Sequence, residues 1–304
     1  MTIEGRIVNG TEGGGSVEGV RVVLVEKAPA AQETSSTAAD ADGRFRFDVV
    51  VYDPQTLYGL TVQRLGVVYA VPLDLSSGPP PLVEITVYDA ASNEANIAVG
   101  SSSLLIAGVD PGTRTVSVLE IVTLRNDGDV AYVPGPDPMS LLRFSLPTGA
   151  TELAVDTSLL AADFVQVDRG FALTVGVPPG THEIMFGYRF PYSGSETSFV
   201  KTFRYGADAV RVLAPEGVAE LSVEGLGDSG TAAIGERSYT VYEGSAPRGE
   251  RVSISLGALP QPSVGQRLTN AFDGIRFEYV APAGLGALML GVVAFVLWRR
   301  PSRA

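Results

Sequence analysis

The chain has 304 residues, enough for two or three small domains, and its 22 Lys and Arg against 34 Asp and Glu give a net charge of −12. Such an acidic surface repels nucleic acid, which we exclude as a partner. The absence of cysteine excludes disulfides, thiolate metal sites and cysteine nucleophiles, and the single histidine, His182, argues against most zinc sites and histidine-based catalysis.

Residues 1–88 are predicted to form an all-β module. IEGRIVNGT reads as a strand that ends in a turn at Asn9-Gly10, and VEGVRVVLVE alternates in the same way. AAQETSSTAAD is expected to be a loop or a weak strand. Asp40–Gly43 is predicted to be a tight turn, and the following Arg44–Phe47 places two phenylalanines inward and two arginines in water.

These patterns carry a resemblance to a known domain. The matching sequence segments are Ile3-x-Gly5-x-Ile7, Asn9–Thr11, Val17, Gly19–Leu24 and Asp40–Phe47. Together they resemble the carboxypeptidase regulatory-like domain, a transthyretin-like β-sandwich, over about the first 88 residues. The resemblance implies an accessory or binding role beside an enzyme or a membrane anchor, and no peptidase activity. Consistent with it, Gly5 and Gly19 suit bends or close backbone approach, and Asp42-Gly43 suits a primed hairpin turn.

Two further β-rich units are predicted. Residues 89–205 contain strand-like runs separated by regular turn signals such as Asn126-Asp127-Gly128 and Pro178-Pro179-Gly180, which is typical of a second β-sandwich. Residues 206–262 are either a small β domain or the remaining strands of the second unit. Residues 263–279 are interpreted as a juxtamembrane connector.

Residues 280–298 are predicted to be a transmembrane helix. They include no charged side chain, and at 1.5 Å per residue they reach about 28 Å, close to the hydrocarbon core of a bilayer. Trp298 suits the membrane interface, and the arginines that follow make 299–304 a cytoplasmic basic tail. The alternative is a hydrophobic terminal helix of a soluble complex.

The arginines on one side of the span predict a single-pass protein of the cytoplasmic membrane, with its β modules extracytoplasmic. Met1–Glu4 lack the features of a signal peptide, so we expect either a native start upstream or a tail-anchored protein facing the cytoplasm. Leu146–Gly149 lacks one residue of a sortase motif and lies far upstream of the span, which favours a permanent anchor over a processed one.

Several short motifs have a chemical and a structural interpretation. Gly227–Gly230 matches the GDSG of trypsin-like proteases, but His182 is its sole candidate base, so we interpret it as a turn in a loop. Asp40-x-Asp42-Gly43 resembles the start of a calcium loop, but position twelve is Val51 rather than glutamate. His182 beside Glu183 is interpreted as structural or solvent-facing.

Two patterns have a binding interpretation. Asn9-Gly10-Thr11 fits the glycosylation sequon, and we interpret it as a turn. The arginine–aromatic alternations at 44–47 and 188–192 are interpreted as core aromatics with solvated arginines, the alternative being a carbohydrate or peptide platform. We assign no catalytic, cofactor-binding or metal-binding residue and no cofactor.

The predicted fold is all-β, with tandem β-sandwich domains followed by one C-terminal transmembrane helix. The predicted function is non-enzymatic: the anchored modules bind a protein or a carbohydrate outside the cytoplasm, as an accessory subunit of an envelope complex. Two alternatives stay open, an envelope hydrolase or glycosidase with an unrecognised acidic site and a tail-anchored protein that faces the cytoplasm.

Overall fold

The computed structural model describes residues 1–261, apart from 30, 31, 49, 138, 139, 168 and 235. Within these residues the chain is all-β: it forms 22 strands, one 3-10 helix at Glu94–Asn96 and no α-helix. No helix in this part of the chain is long and apolar enough to cross a bilayer. The predicted connector, transmembrane helix and basic tail (263–304) lie outside the described residues.

The N-terminal region forms two small sheets. Its strands are β1 (Ile3–Asn9), β2 (Arg21–Lys27), β3 (Gln32–Ala38), β4 (Arg44–Phe47), β5 (Leu57–Arg64), β6 (Val67–Leu73) and β7 (Val83–Val87). One sheet has the order β4-β1-β7, with β1 antiparallel to β4 and parallel to β7. The other is antiparallel, with the order β3-β2-β5-β6.

A single hydrophobic core joins these two sheets. Ile3, Ile7 and Ile85 of the first sheet and Leu24 and Leu60 of the second are at most 1% exposed and belong to the same buried cluster. The alternation buried–exposed along β1 and β4 explains this arrangement, since every second side chain points to one face of a strand.

The turn at Asp40–Gly43 differs from the prediction in its role. It is closed by a hydrogen bond from Gly43 N to Asp40 O at 2.9 Å, and Gly43 has φ +79°. It does not form a hairpin, because β3 pairs with β2 and β4 pairs with β1. The turn therefore carries the chain from one sheet to the other, and the predicted loop or weak strand before it is the edge strand β3.

A short parallel ladder links the N-terminal region to the rest of the chain. Its strands are β8 (Ala90–Ala91) and β11 (Ala131–Tyr132). Ala131 packs in the N-terminal core, whereas Tyr132 packs in the second core. The Thr11 hydroxyl strengthens the link by donating to Asp129 O at 2.7 Å.

The second region contains one large sheet and two small ones. Its strands are β9 (Ile97–Asp110), β10 (Thr115–Asn126), β12 (Leu142–Ser145), β13 (Thr151–Thr157), β14 (Phe164–Val167), β15 (Gly170–Leu173), β16 (Gly180–Pro191), β17 (Thr197–Phe203), β18 (Ala207–Pro215), β19 (Glu220–Glu224), β20 (Gly227–Ile234), β21 (Arg237–Ala246) and β22 (Glu250–Gly257). The seven-stranded sheet has the order β13-β16-β10-β9-β18-β21-β20. The β12 sheet has the order β12-β15-β14, and the β17 sheet has the order β17-β22-β19.

Strand pairing places residues 207–257 in the same sheets as residues 97–203. β18 pairs in parallel with β9, and β22 pairs with β17. The two small sheets face the seven-stranded sheet across one core: the Phe171 and Phe186 ring centroids lie 4.9 Å apart, and those of Phe190 and Phe199 lie 5.1 Å apart. The strands after residue 206 therefore share the core of the second region.

Candidate functional site

The GDSG tetrapeptide lies on a strand rather than in a loop. It opens β20, the last strand of the seven-stranded sheet, and all eight residues of that strand are exposed. The register shifts between Asp228 and Gly230, where the Asp228 carboxylate accepts a hydrogen bond from Gly230 N at 2.8 Å and Gly230 has φ +82°. The tetrapeptide is thus a bulge in an edge strand, which corrects the prediction of a turn in a loop.

His182 lies far from this bulge. It is on β16, and four strands separate β16 from β20 in the sheet. At about 4.8 Å per strand spacing, the two strands are on the order of 24 Å apart, so His182 cannot take a proton from Ser229. Its Nε2 instead lies 2.8 Å from Pro178 O.

The Asp40 carboxylate is occupied by the turn that contains it. One of its oxygens accepts from Asp42 N at 2.9 Å and from Arg44 N at 2.8 Å. This is the local hydrogen bonding expected of an aspartate that begins a turn. Among the residues that the structure describes, no group of three or more His, Cys, Asp or Glu is placed to hold a metal ion.

The sequon residues at the end of β1 hold loops together. Asn9 Nδ2 donates to Gly15 O at 2.8 Å and to the Asp89 carboxylate at 3.0 Å. A glycan would have to replace one of these bonds, since it attaches through that same nitrogen. Thr11 also accepts from Asp89 N, so the motif is part of the junction between the two regions.

The aromatic rings of the arginine–aromatic alternations are buried in the hydrophobic cores. Phe45 and Phe47 are 4% and 6% exposed, and the aromatic side chains at 188, 190 and 192 are 2% to 4% exposed. Arg44 and Arg46 lie in water. The rings pack in the two cores, in agreement with the interpretation as core aromatics.

A groove of about 740 Å³ lies over the β12 sheet. Phe144 and Phe171 of this sheet point into the core. The residues next to them in β12 and β15 therefore point to the opposite face of the sheet, toward the groove. Val165 and Val167 of the edge strand β14 line it and are 51% and 59% exposed. Its size and apolar lining are those of ordinary binding clefts.

Four arginines border this surface, which we call the arginine groove. They are Arg143, Arg169, Arg204 and Arg248, and one acidic side chain, Glu94, lies among them. The groove is therefore locally basic on a chain whose net charge is −12. An acidic ligand is attracted here and repelled by most of the remaining surface.

Two of these arginines are held by neighbouring groups. Arg204 Nη2 donates to the Glu94 carboxylate at 2.8 Å, and Arg248 Nη2 donates to Ile97 O at 2.6 Å. Both partners lie at or near the start of β9, so the seven-stranded sheet helps to position the groove's rim. The fold itself therefore holds part of the rim in place, and such preorganisation lowers the entropy cost of binding.

A buried ion pair lies beneath the groove. Lys201 Nζ of β17 is 2.5 Å from Glu120 Oε2 of β10, and the two residues are 5% and 0% exposed. Tyr188 donates its phenolic hydrogen to Glu120 Oε1 at 2.8 Å, and Lys201 Nζ also donates to Ser145 O at 3.1 Å. Burial first, and then the Glu120 charge, raise the pKa of Tyr188 well above its usual range.

Sequence analysis missed this pair, although the signal was present. In β10 the inward series of the strand runs Val118, Glu120, Val122, and in β17 it runs Phe199, Lys201, Phe203. Each charged residue occupies a position that alternation assigns to the core. A charged side chain at such a position is rarely buried unless it is paired. The pattern of each strand therefore predicts a partner of opposite charge, but the sequence alone does not say which residue that partner is.

Comparisons with known proteins identify no family. No family model matches the chain, and no curated protein matches it. Among solved structures it is similar to an M1 zinc metallopeptidase from Deinococcus radiodurans, with 13% identity, 54% of this chain and 42% of that chain covered, and a TM-score of 0.34. A mutant of that enzyme bound to a Tyr-Ser-Ala substrate gives 14% identity, coverages of 54% and 43%, and the same TM-score of 0.34.

The chain thus spans less than half the length of these peptidases. A likeness this weak defines neither the family nor the activity of the chain.

Proposed function

We propose that this chain is a non-enzymatic binding protein whose tandem β-sandwich modules stand outside the cytoplasmic membrane and hold an acidic segment of a partner protein in the arginine groove. The observation that carries the proposal is the groove itself: an apolar strip with four arginines on a chain of net charge −12. Charge complementarity selects an acidic partner, and the exposed valines supply apolar contact.

The chemistry of the groove favours a protein over a glycan. Carbohydrate sites commonly offer exposed aromatic faces, whereas the two phenylalanines at the groove's floor are 8% and 1% exposed. The exposed apolar side chains of the groove are aliphatic, at Val165 and Val167. Aliphatic side chains pack against apolar side chains of a protein rather than stack on sugar rings.

The position of β14 suggests how such a segment is bound. β14 ends the β12 sheet and pairs with β15 alone among the described strands. An extended segment can add to this edge by main-chain hydrogen bonds, with alternate side chains over the groove. Acidic side chains of the segment then face the arginines, while apolar ones cover Val165 and Val167.

The membrane and envelope parts of the proposal rest on the sequence. The apolar stretch 280–298 and the arginines after it support a single C-terminal anchor, with the β modules held outside the cell. Such an anchor raises the effective concentration of the groove at the membrane surface. The resemblance of residues 1–88 to a carboxypeptidase regulatory-like domain supports the accessory role.

Binding of two labelled peptides tests the groove. One peptide alternates Glu and Val and the other alternates Lys and Val, and fluorescence anisotropy measures their affinity for the full chain in detergent. We expect the acidic peptide to bind and the basic peptide to fail. Added salt should weaken the complex, because part of the attraction comes from partly exposed charges. Equal affinity for both peptides, or none for the acidic one, would contradict the proposal.

Matched variants locate the binding surface. Val167→Asp with Arg169→Glu should reduce the affinity for the acidic peptide by about tenfold or more, since it replaces an apolar contact by a negative charge and reverses the charge of one arginine. The control pair Ile234→Asp with Arg237→Glu makes the same changes at exposed positions on the far edge of the seven-stranded sheet and should leave affinity unchanged. An equal loss in the control places binding elsewhere.

A further inference from the structure

The buried contact between Lys201 and Glu120 places an amine directly beside a carboxyl group. We propose that the two side chains condense into an intramolecular isopeptide bond that joins β17 covalently to β10. The nitrogen and oxygen already lie 2.5 Å apart, in a core where the two residues are 5% and 0% exposed. Holding two reacting groups in one place removes most of the entropy cost of a reaction between them.

The surroundings of the pair are largely aromatic. Lys201 Nζ lies 5.1 Å from the centroid of the Phe186 ring, and the Phe144 and Phe171 rings pack against Phe186. Transfer of one proton from the ammonium to the carboxylate across this contact gives a neutral amine and a neutral acid side by side. A neutral amine has the lone pair that attack on a carboxyl carbon requires.

Tyr188 is placed to assist the attack. Its hydroxyl donates to Glu120 Oε1, the oxygen that stays on the carbon, at 2.8 Å. Negative charge develops on that oxygen when nitrogen adds, and a fixed donor there stabilises it. Because the pKa of Tyr188 is raised well above its usual range by burial and then by the Glu120 charge, the phenol keeps its hydrogen.

The step balances without a co-reactant. A proton first passes from the Lys201 ammonium to Glu120 Oε2, and the amine lone pair then adds to Cδ. The bond between Cδ and Oε2 breaks as a second proton passes from Nζ to Oε2, which leaves as water. The amide nitrogen keeps its last hydrogen, so the products are one isopeptide bond and one water molecule.

The structure offers a place for that water. A cavity of about 20 Å³ adjoins Lys201 and is lined by Ser102 and Ser145 among others. A cavity of this size holds about one water molecule, and the two serines supply polar groups to bind it.

The bond would connect the two layers of the second region. It joins the seven-stranded sheet to the β17 sheet across 81 residues of sequence. In a chain without cysteine, it supplies the covalent link between layers that a disulfide supplies elsewhere. Neither end is exposed, so proteases do not reach it while the domain is folded.

Mass spectrometry of the purified full chain tests the proposal. We expect an intact mass lower by one water molecule than the sequence mass. Because the modified Lys201 resists trypsin, digestion should give a branched peptide in which residues 115–125 are joined to residues 190–204. An intact mass equal to the sequence mass, with 115–125 and 190–201 recovered as separate peptides, would overturn the proposal.

Two variants test which residues form the bond and whether Tyr188 assists its formation. The double variant Glu120→Leu with Lys201→Met replaces the pair by apolar side chains of similar volume and should show the full sequence mass. Tyr188→Phe should slow the loss of water after refolding by about tenfold or more, because the oxyanion donor is gone. Loss of water in the double variant, or an unchanged rate in Tyr188→Phe, contradicts the assignment of these residues.

Discussion

At the scale of single residues, Asp89 links segments that are far apart in sequence. Its carboxylate accepts from Arg64 Nη2 at 2.7 Å, from Asn9 Nδ2 at 3.0 Å and from Gly15 N at 2.9 Å. These bonds, with the Arg64 bond the largest contribution, hold the pKa of Asp89 below its ordinary value of 3.8. One carboxylate therefore fastens the glycine-rich loop after β1 to strand β5.

The lowered pKa of Asp89 predicts a specific loss of stability in acid. The unfolded carboxyl binds its proton at a higher pH than the folded one, so acidification favours unfolding. The contribution of Asp89 is complete above about pH 5 and is lost as the pH falls through the folded pKa. Asp89→Asn should cost about 1 kcal/mol at neutral pH, because the site is partly exposed, and less below about pH 3.

Urea unfolding of the wild type and of Asp89→Asn across this pH range checks the prediction. Asp74→Asn is the control for a local effect, since the pKa of Asp74 is also lowered, first by the Ser76 side chain and then by Ser76 N, both within its own turn. We expect the smaller loss of stability in this variant. A difference between wild type and Asp89→Asn that stays constant from neutral to strongly acidic pH would show that the charge of Asp89 is not the cause.

At the scale of elements, the central strand β1 depends on a glycine that its two neighbours crowd. Gly5 pairs with Phe45 on β4 and with Val83 on β7. A Cβ added at Gly5 would lie 2.5 Å from Val83 O and closer still to the Phe45 ring. The sequence prediction of a close backbone approach at Gly5 is explained by this contact.

Gly5→Ala should therefore destabilise the N-terminal region by about 1–3 kcal/mol, since the backbone oxygen of β7 has to move. Gly59→Ala is the matched control on β5, where the nearest atom to an added Cβ is Val71 O at 3.5 Å, an ordinary contact. We expect a change of at most about 0.5 kcal/mol there. Thermal unfolding of both variants measures the difference, and equal losses would contradict the crowding argument.

At the scale of the whole molecule, two cores meet at a short seam. Residues up to Val87 form one buried cluster together with Ala131, and residues from Ile97 to Leu259 form the other. The seam includes the β8–β11 ladder, the hydrogen bond from Thr11 to Asp129 O and the one from Glu12 N to the Asp129 carboxylate. The arginine groove belongs to the second region.

The proposed topology predicts which residues a protease reaches on intact cells. Added protease should cleave the β modules from outside while residues 280–298 stay in the membrane fraction, because the bilayer shields a spanning helix. Antibodies against an N-terminal and a C-terminal tag detect the products, and a cytoplasmic protein serves as the control for cell integrity. Full protection of the N-terminal tag would place the modules in the cytoplasm and contradict the proposal.

The sequence by itself determined the all-β class of the described residues, most strand positions and which side chains face inward. Alternation with a period of two is a local property, so the inward positions of Phe45 and Phe47 follow from the residues alone. Strand β3 was predicted as a loop or a weak strand, and β13 and β20 were not predicted. The residues of these strands are small, polar or exposed and give a weak pattern.

Only the tertiary structure decided which strands are neighbours. The turn at Asp40–Gly43 has the residues of a hairpin, yet it crosses between sheets, and β18 lies beside β9 although about a hundred residues separate them. The meeting of Glu120 with Lys201, and the outward face that becomes the arginine groove, depend on the same long-range pairing. Which strands pair depends on the packing of the whole core, and this cannot be read from a local sequence pattern.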